Sequence, residues 1–338
     1  MRGSNADHEP AIQEEGFRND LRESTLVRSL ARKRTWLTPS LRRTGAPSVF
    51  GEEVTSVYVS EQRATLRELV NRGETLVVPG AYDSVSARLI ERAGFPAVYI
   101  GSYATSASGF GLPDVGLLGM TEMVDHAKRV VEAVSTPVIA DAENGFNNAA
   151  NIWRTVRAFE QAGVSAIHIE DHDFGKHADV PQVILPLHQM LGKVRAALEA
   201  RNDPNFLIIA RTDVAWATND LDEAVGRANA FSEVGADIVF LTGITPQTLH
   251  ETRGQIKGKV MVVDTLGFSV SDEERAGADV ILYYGFTLYA AYAAVKSALA
   301  RFMETKDQNQ LSGILADAEE FERFIGYEDF AAKTKRYM

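Results

Sequence analysis

The chain has 338 residues, of which 45% are hydrophobic and 24% charged, enough for one large α/β domain or two ordinary ones. A net charge of -11 argues against a nucleic-acid or anionic-membrane surface, since both depend on clustered Lys and Arg. The absence of cysteine excludes disulfides, zinc-thiolate sites and thiol catalysis, and no apolar run is long enough to span a membrane, so the expected location is the cytoplasm.

The first stretch, residues 1–59, is polar and Arg-rich (Arg28, Arg32, Lys33, Arg34, Arg42, Arg43) without sustained apolar periodicity. It reads as an arm that packs in an oligomer or stays disordered; a targeting segment is the alternative, which its acidic residues Asp7, Glu9, Glu14 and Glu15 fit poorly. From residue 60 the pattern becomes an alternation of short β-branched runs and helical periods ending at Gly or Pro. Strands are predicted over 76–80, 97–101, 137–141, 166–171, 206–212, 237–241, 260–264 and 279–284. The helices between them have readable ends: Thr121 as a cap, Gly163 and Gly235 as stops, and Asn202-Asp203-Pro204 as a break. Eight such units fit a closed (β/α)8 barrel over 60–306, with an open doubly wound sheet as the alternative; no Gly-x-Gly-x-x-Gly supports the latter. Residues 307–338 form a C-terminal helical extension. Together with the apolar helix "LYAAYAAVKSALARFM" it is expected to pack on a neighbouring subunit.

In such a barrel the chemistry gathers where the strands end. These positions hold Tyr82 and Asp83, then Gly101, Ser102 and Tyr103, then Asp141 and Glu143, Glu170 and Asp171, Arg211 and Asp213, and Asp264. Carboxylates from several strands in one mouth repel unless a cation lies between them, and oxygen ligands favour a hard ion such as Mg2+. An acidic residue after a strand is often only a helix cap, and on that ground Asp213 and Asp264 are set aside. The Asp-x-Glu of "VIADAENGF" beside Glu170-Asp171 is harder to read that way. Arg211 is either a structural partner of the carboxylates or a clamp for a substrate carboxylate. His168 faces the barrel interior as either a core or a functional residue.

The stretches "PGAYDSVSARLIERAGFPAVYIGSYATSAS", "GLPDVGLL", "ADAENGFNNAANIWRTVRAFEQAGVSAIHIED" and "DPNFLIIARTD" resemble the isocitrate lyase and phosphoenolpyruvate mutase superfamily over roughly residues 68–303. The resemblance implies a barrel whose eighth helix is exchanged between subunits, a homodimer or homotetramer, and Mg2+ or Mn2+ holding an enolate-like 2-oxo acid. It further implies that Asp141 ligates the metal directly, that Glu143 replaces the family's second Asp, and that Asp114 and Glu170 hold metal-bound waters. By the same resemblance, Arg211 contacts the substrate while Ser102 and Tyr103 hold its carboxylate. The family's lyases carry a cysteine in the gating loop, and its phosphonate enzymes carry Lys-Thr-Asn-Ser. Here the loop reads "DFGKHADVPQVILPL", which looks most like the oxaloacetate decarboxylase branch, although the histidine expected after the last strand is replaced by Phe286.

The expected activity is therefore carbon-carbon cleavage of a small 2-oxo or 2-hydroxy carboxylic acid, with Lys176, His177 or Tyr103 as the proton donor. Phosphorus-carbon chemistry on a phosphonate, with Lys176 and His177 over the phosphonyl group, is a second expectation. A ligand-binding barrel without turnover is a third.

Overall fold

The computed structural model describes residues 52–338, with side chains from Tyr58 onward. Eight parallel strands close into a barrel: β1 (Leu76–Ala81), β2 (Val98–Ile100), β3 (Val138–Asp141), β4 (Ala166–Glu170), β5 (Leu207–Thr212), β6 (Ile238–Leu241), β7 (Val260–Val263) and β8 (Val280–Tyr283). Strands consecutive in the chain are neighbours, and the ring is completed by β1 against β8, with Leu76 opposite Val280. Along each strand alternate residues face inward and outward. Val78, Tyr99, Ile139, Ile209, Phe240, Met261 and Leu282 fill the interior, while Val98, Ile100, Ile167, Ile208, Val239 and Ile281 pack under the surrounding helices. Both faces are apolar, so the strands read as continuous hydrophobic runs.

The predicted arm lies outside the described residues as far as residue 51. The described chain opens with α1 (Glu52–Asn71), which runs on into the region expected to be barrel. Leu66 and Val70 of α1 are buried among Leu76, Ala166, Leu207, Ile238 and Val280, the first residues of five strands. The helix thus closes the N-terminal end of the barrel. Arg63 fastens it there, donating from Nε to the Val164 carbonyl at 3.1 Å and pairing with Asp203 at 3.3 Å.

The outer layer contains α2 (Ser84–Arg92), α3 (Met120–Val131), α4 (Ala149–Gln161), α5 (Leu187–Ala200), α6 (Leu221–Val234), α7 (Pro246–Thr252) and α8 (Val270–Ala276). Thr121 is not the cap of α3: the cap is Gly119, two residues earlier, and its N–H is taken by Glu122 Oε2 at 2.7 Å. Gly163 and Gly235 do end their helices, with φ of 90° and 109°. After β8 come α9 (Phe286–Thr305), α10 (Ala318–Ile325) and α11 (Tyr327–Tyr337). No residue of α9 is buried, and Tyr292, Val295, Leu299 and Met303 are all exposed. In contrast, α10 is held to α2 through Phe324, which lies under the Arg88 and Arg92 guanidinium groups. Among the described residues no helix is long and apolar enough to cross a membrane.

Candidate active site

Asp141 is the last residue of β3 and 2% exposed. Its Oδ2 accepts the Ser102 N–H at 3.1 Å and the Ser102 hydroxyl at 3.0 Å, and its Oδ1 accepts the Glu143 N–H at 2.8 Å. The last bond folds the chain back sharply and places Glu143 at φ 49°, in the left-handed region that a side chain enters only at a cost. Gly145 follows at φ 86°, in the left-handed region that favours glycine. The Glu143 carbonyl takes the Glu170 N–H at 2.9 Å, locking the turn to the end of β4. Below Asp141, Tyr99 and His168 meet inside the barrel, with the Tyr99 hydroxyl 2.9 Å from His168 Nε2. Burial lowers the His168 pKa to about 4 against the pull of Asp141, leaving a neutral imidazole. Burial also works against the Asp141 carboxylate, but His168, Lys176, Arg211 and the Glu143 N–H outweigh it and hold the group well below the usual range.

The β4 end leads into a loop containing a two-stranded hairpin, His172–Phe174 with Val183–Ile184. The loop carries Lys176 inward, 93% covered, to a point between carboxylates from the segments after β2 and β3 and from the end of β4. Its Nζ lies 3.0 Å from Glu170, 3.1 Å from Glu143 and 3.7 Å from Asp114. Burial disfavours the ammonium, yet Glu170, Glu143 and Asp141 raise its pKa well above the ordinary value. His177 stands half-exposed above it, Nε2 3.5 Å from Asp114 Oδ2. Burial raises Glu143 to about 7 and is reinforced by Asp141 and Asp114, with Lys176 opposing. Burial raises Glu170 well above the carboxylate range despite Arg211 and Lys176.

Arg211, at the end of β5, is bound on three sides. Its Nε and one terminal nitrogen reach Asp213 at 2.6 and 3.0 Å, and the other terminal nitrogen reaches Glu170 at 3.0 Å. Asp213, set aside above as a cap, is fully buried and also accepts the Thr242 hydroxyl at 2.7 Å. It is the residue that fixes the arginine. The i, i+2 spacing from Arg211 was the available signal. Asp171 turns away and pairs with Arg227 at 3.2 Å.

Gly101, Ser102, Tyr103, Asp114, Asp141, Lys176, His177 and Arg211 line one cavity of about 190 Å³, and Glu143 and Glu170 bound it through Lys176. Tyr82 is not among the lining residues; its N–H donates to Ser86 Oγ and its carbonyl accepts from Ser108. Phe286 also lies outside the lining, edge-on to Tyr283. Trp216, Thr242 and Tyr284 line the cavity without having been singled out in the sequence.

Asp114, Asp141, Glu143, Glu170 and Asp213 outnumber the two fixed cations Lys176 and Arg211 among the groups described. Asp141, His168 and Glu170 bring one donor atom each within 4.8 Å of one another, and Asp114 Oδ1 is buried without a hydrogen-bond partner. An anionic, mainly oxygen donor set with an unsatisfied carboxylate oxygen fits a hard divalent cation.

The sequence model of the phosphoenolpyruvate phosphomutase family matches residues 66–303. The chain is 38% identical over 274 residues to the 2,3-dimethylmalate lyase of Eubacterium barkeri, covering 77% of this chain and 92% of that protein. It is 41% identical over 189 residues to an oxaloacetate decarboxylase of a Bradyrhizobium species, covering 54% of this chain and 64% of that protein. Among solved structures, a phosphonopyruvate hydrolase in complex with oxalate and Mg2+ superposes with a TM-score of 0.76 at 28% identity, covering 82% of this chain and 99% of the other.

Proposed function

The chain belongs to the phosphoenolpyruvate phosphomutase family, and from that premise we propose that it is a carbon-carbon lyase acting on a small 2-oxo or 2-hydroxy carboxylic acid. The observation that carries the reading is one cavity lined by Asp114, Asp141 and a buried arginine, with Glu143 and Glu170 gathered around Lys176 at its wall. Asp141, with Glu143, Asp114 and Glu170 around it, would hold Mg2+, or Mn2+ in its place. The bound ion would supply Lewis acidity toward the substrate oxygens.

The protein's own groups do the rest. Gly101 and Tyr103 orient the substrate carboxylate at the end of β2, beside Ser102, whose N–H and hydroxyl hold Asp141. Arg211, locked by Asp213 and Glu170, is aimed at the negative charge that develops on the substrate oxygen as the carbon-carbon bond breaks, and its rigidity means that little reorganisation is needed at that moment. Without a cysteine, the proton returned to the product carbon comes through the gating loop. His177, half-exposed over Asp114, relays it from solvent, with Lys176 beneath offsetting the repulsion between the carboxylates it pairs with.

A proton and phosphorus NMR time course with Mg2+ tests this, offering oxaloacetate, isocitrate, 2-methylisocitrate, 2,3-dimethylmalate and phosphonopyruvate separately. A 2-oxo acid formed from one of the carbon acids, reduced by about a thousandfold in Asp141→Ala, is the expected result; full turnover by that variant would sink the scheme. Phosphorus-carbon chemistry is the second reading, favoured by the likeness to the phosphonopyruvate hydrolase, and turnover of phosphonopyruvate alone would replace the first with it. The exposed apolar face of α9 is best accounted for by a second copy of the chain, in a homodimer or homotetramer working in the cytoplasm.

A further inference from the structure

Asp213 is a shared carboxylate. Its Oδ1 accepts from Arg211 Nε and from the Thr242 hydroxyl, while its Oδ2 accepts from an Arg211 terminal nitrogen at 3.0 Å and faces His172 Nδ1 at 3.2 Å. His172 is the first residue of the hairpin whose loop brings Lys176 and His177 to the cavity. Its side chain is wholly buried, and its other ring nitrogen, Nε2, lies 3.1 Å from the Phe174 carbonyl. A carboxylate and a carbonyl can only accept, so the imidazole is the donor to each. The ring thus ties the root of the loop to the group that fixes the arginine.

The loop meets the same network a second time at Lys176, which pairs with Glu170 at 3.0 Å, and Glu170 in turn pairs with Arg211 at 3.0 Å. Two routes therefore run from the arginine into the loop. Trp216, in the short helix Val214–Thr218 after β5, packs between them, its indole 5.4 Å from the His172 ring and 5.0 Å from that of His177. The far foot of the hairpin is tied elsewhere, since the Leu185 carbonyl accepts from Arg227 at 2.8 Å. Losing the His172 bond would shift the loop about that foot rather than release it. Arg211 would keep all its partners, because its bonds to Asp213 and Glu170 do not pass through the imidazole.

Resting on the lyase reading above, we propose that His172 is a positioning residue: through Asp213 it sets where the loop holds Lys176 and His177 relative to Arg211. The test measures kcat and KM at one pH with saturating Mg2+, on whichever of the carbon acids the protein turns over, for the wild-type protein, His172→Phe and His172→Asn. Hydrogen-deuterium exchange of the amides at 175–184 and of β5 accompanies it. The phenyl ring can still stack on Trp216 but donates nothing, whereas the asparagine amide nitrogen, attached to Cγ as Nδ1 is, can still donate to Asp213. A bond to a buried carboxylate is worth enough that His172→Phe should lower kcat by about tenfold or more, with KM little changed, and should speed exchange at 175–184 but not in β5. His172→Asn should recover most of both. Undiminished kcat in His172→Phe, a loss carried by KM, or no recovery in His172→Asn overturns the inference and leaves the lyase reading intact. If the wild-type protein turns over none of the carbon acids, the lyase reading falls, and exchange at 175–184 in the two variants decides for or against His172. If His172→Phe fails to fold, His172→Ala, which leaves room for water beside Asp213, replaces it with the same expected results.

Discussion

At the scale of single residues, the Arg211–Asp213 pair shows how the site separates positioning from contact. Asp213 is fully buried and holds two of the arginine's nitrogens, so an amide in its place could accept from only one and would leave a buried guanidinium short of a partner. Asp213→Asn is expected to lose about 3 kcal/mol of stability in urea unfolding, and to lower kcat far more than it raises KM, since the arginine is needed as charge develops. Asp213→Glu should recover part of kcat. Asp141, Glu143, Glu170 and Arg211 were legible in the sequence because they end strands, and strand ends in a barrel meet at one mouth. Asp213 was not, since an acidic residue just past a strand also fits a helix cap. Tyr82 ends a strand as well, but its backbone is taken up in the turn before α2 rather than in the cavity.

At the scale of elements, the eight strands could be read because parallel strands covered on both faces are continuously apolar. The last turns of α1 were harder to assign. Leu66 and Val70, with Leu69 beside them, mark its apolar inward face, and its role at the base of the barrel depends on strand starts as distant in the chain as Val280. The loop that carries Lys176 inward was beyond local reading for the same reason: its destination is set by Glu143 and Glu170, not by its neighbours. In α8, Glu273 is almost fully buried, with Oε1 lacking a hydrogen-bond partner. Burial raises its pKa to about 7; Asp264 and Asp272 add to this, and the Thr265 N–H acts against it. Because the folded value exceeds the unfolded one near 4.5, this side chain's favourable contribution is complete below about pH 4.5 and is lost as pH rises through about 7. Glu273→Gln should therefore unfold at higher denaturant than the parent at pH 8.5, with the difference vanishing by about pH 4.5.

At the scale of the whole molecule, α9 sets the expectation. A helix of 20 residues with no buried position, exposing Tyr292, Val295, Leu299 and Met303, is an apolar surface of the kind that subunit contacts cover. Sedimentation should give a mass that is a multiple of the 37.0 kDa chain, and Tyr292→Glu with Leu299→Glu should shift it toward a smaller species. A monomeric parent protein would remove the argument.

The seam between β1 and β8 bears on how the protein is made. Leu76 finds its partner, Val280, only after nearly all of the intervening chain has been synthesised, and that pairing is what turns a sheet into a ring. Until then a nascent chain carries a growing parallel sheet with two raw edges, open to pairing with any neighbouring strand. A ribosome that stalls before β8 emerges would release a template for aggregation, so the last strand acts as the molecule's protection against its own kind.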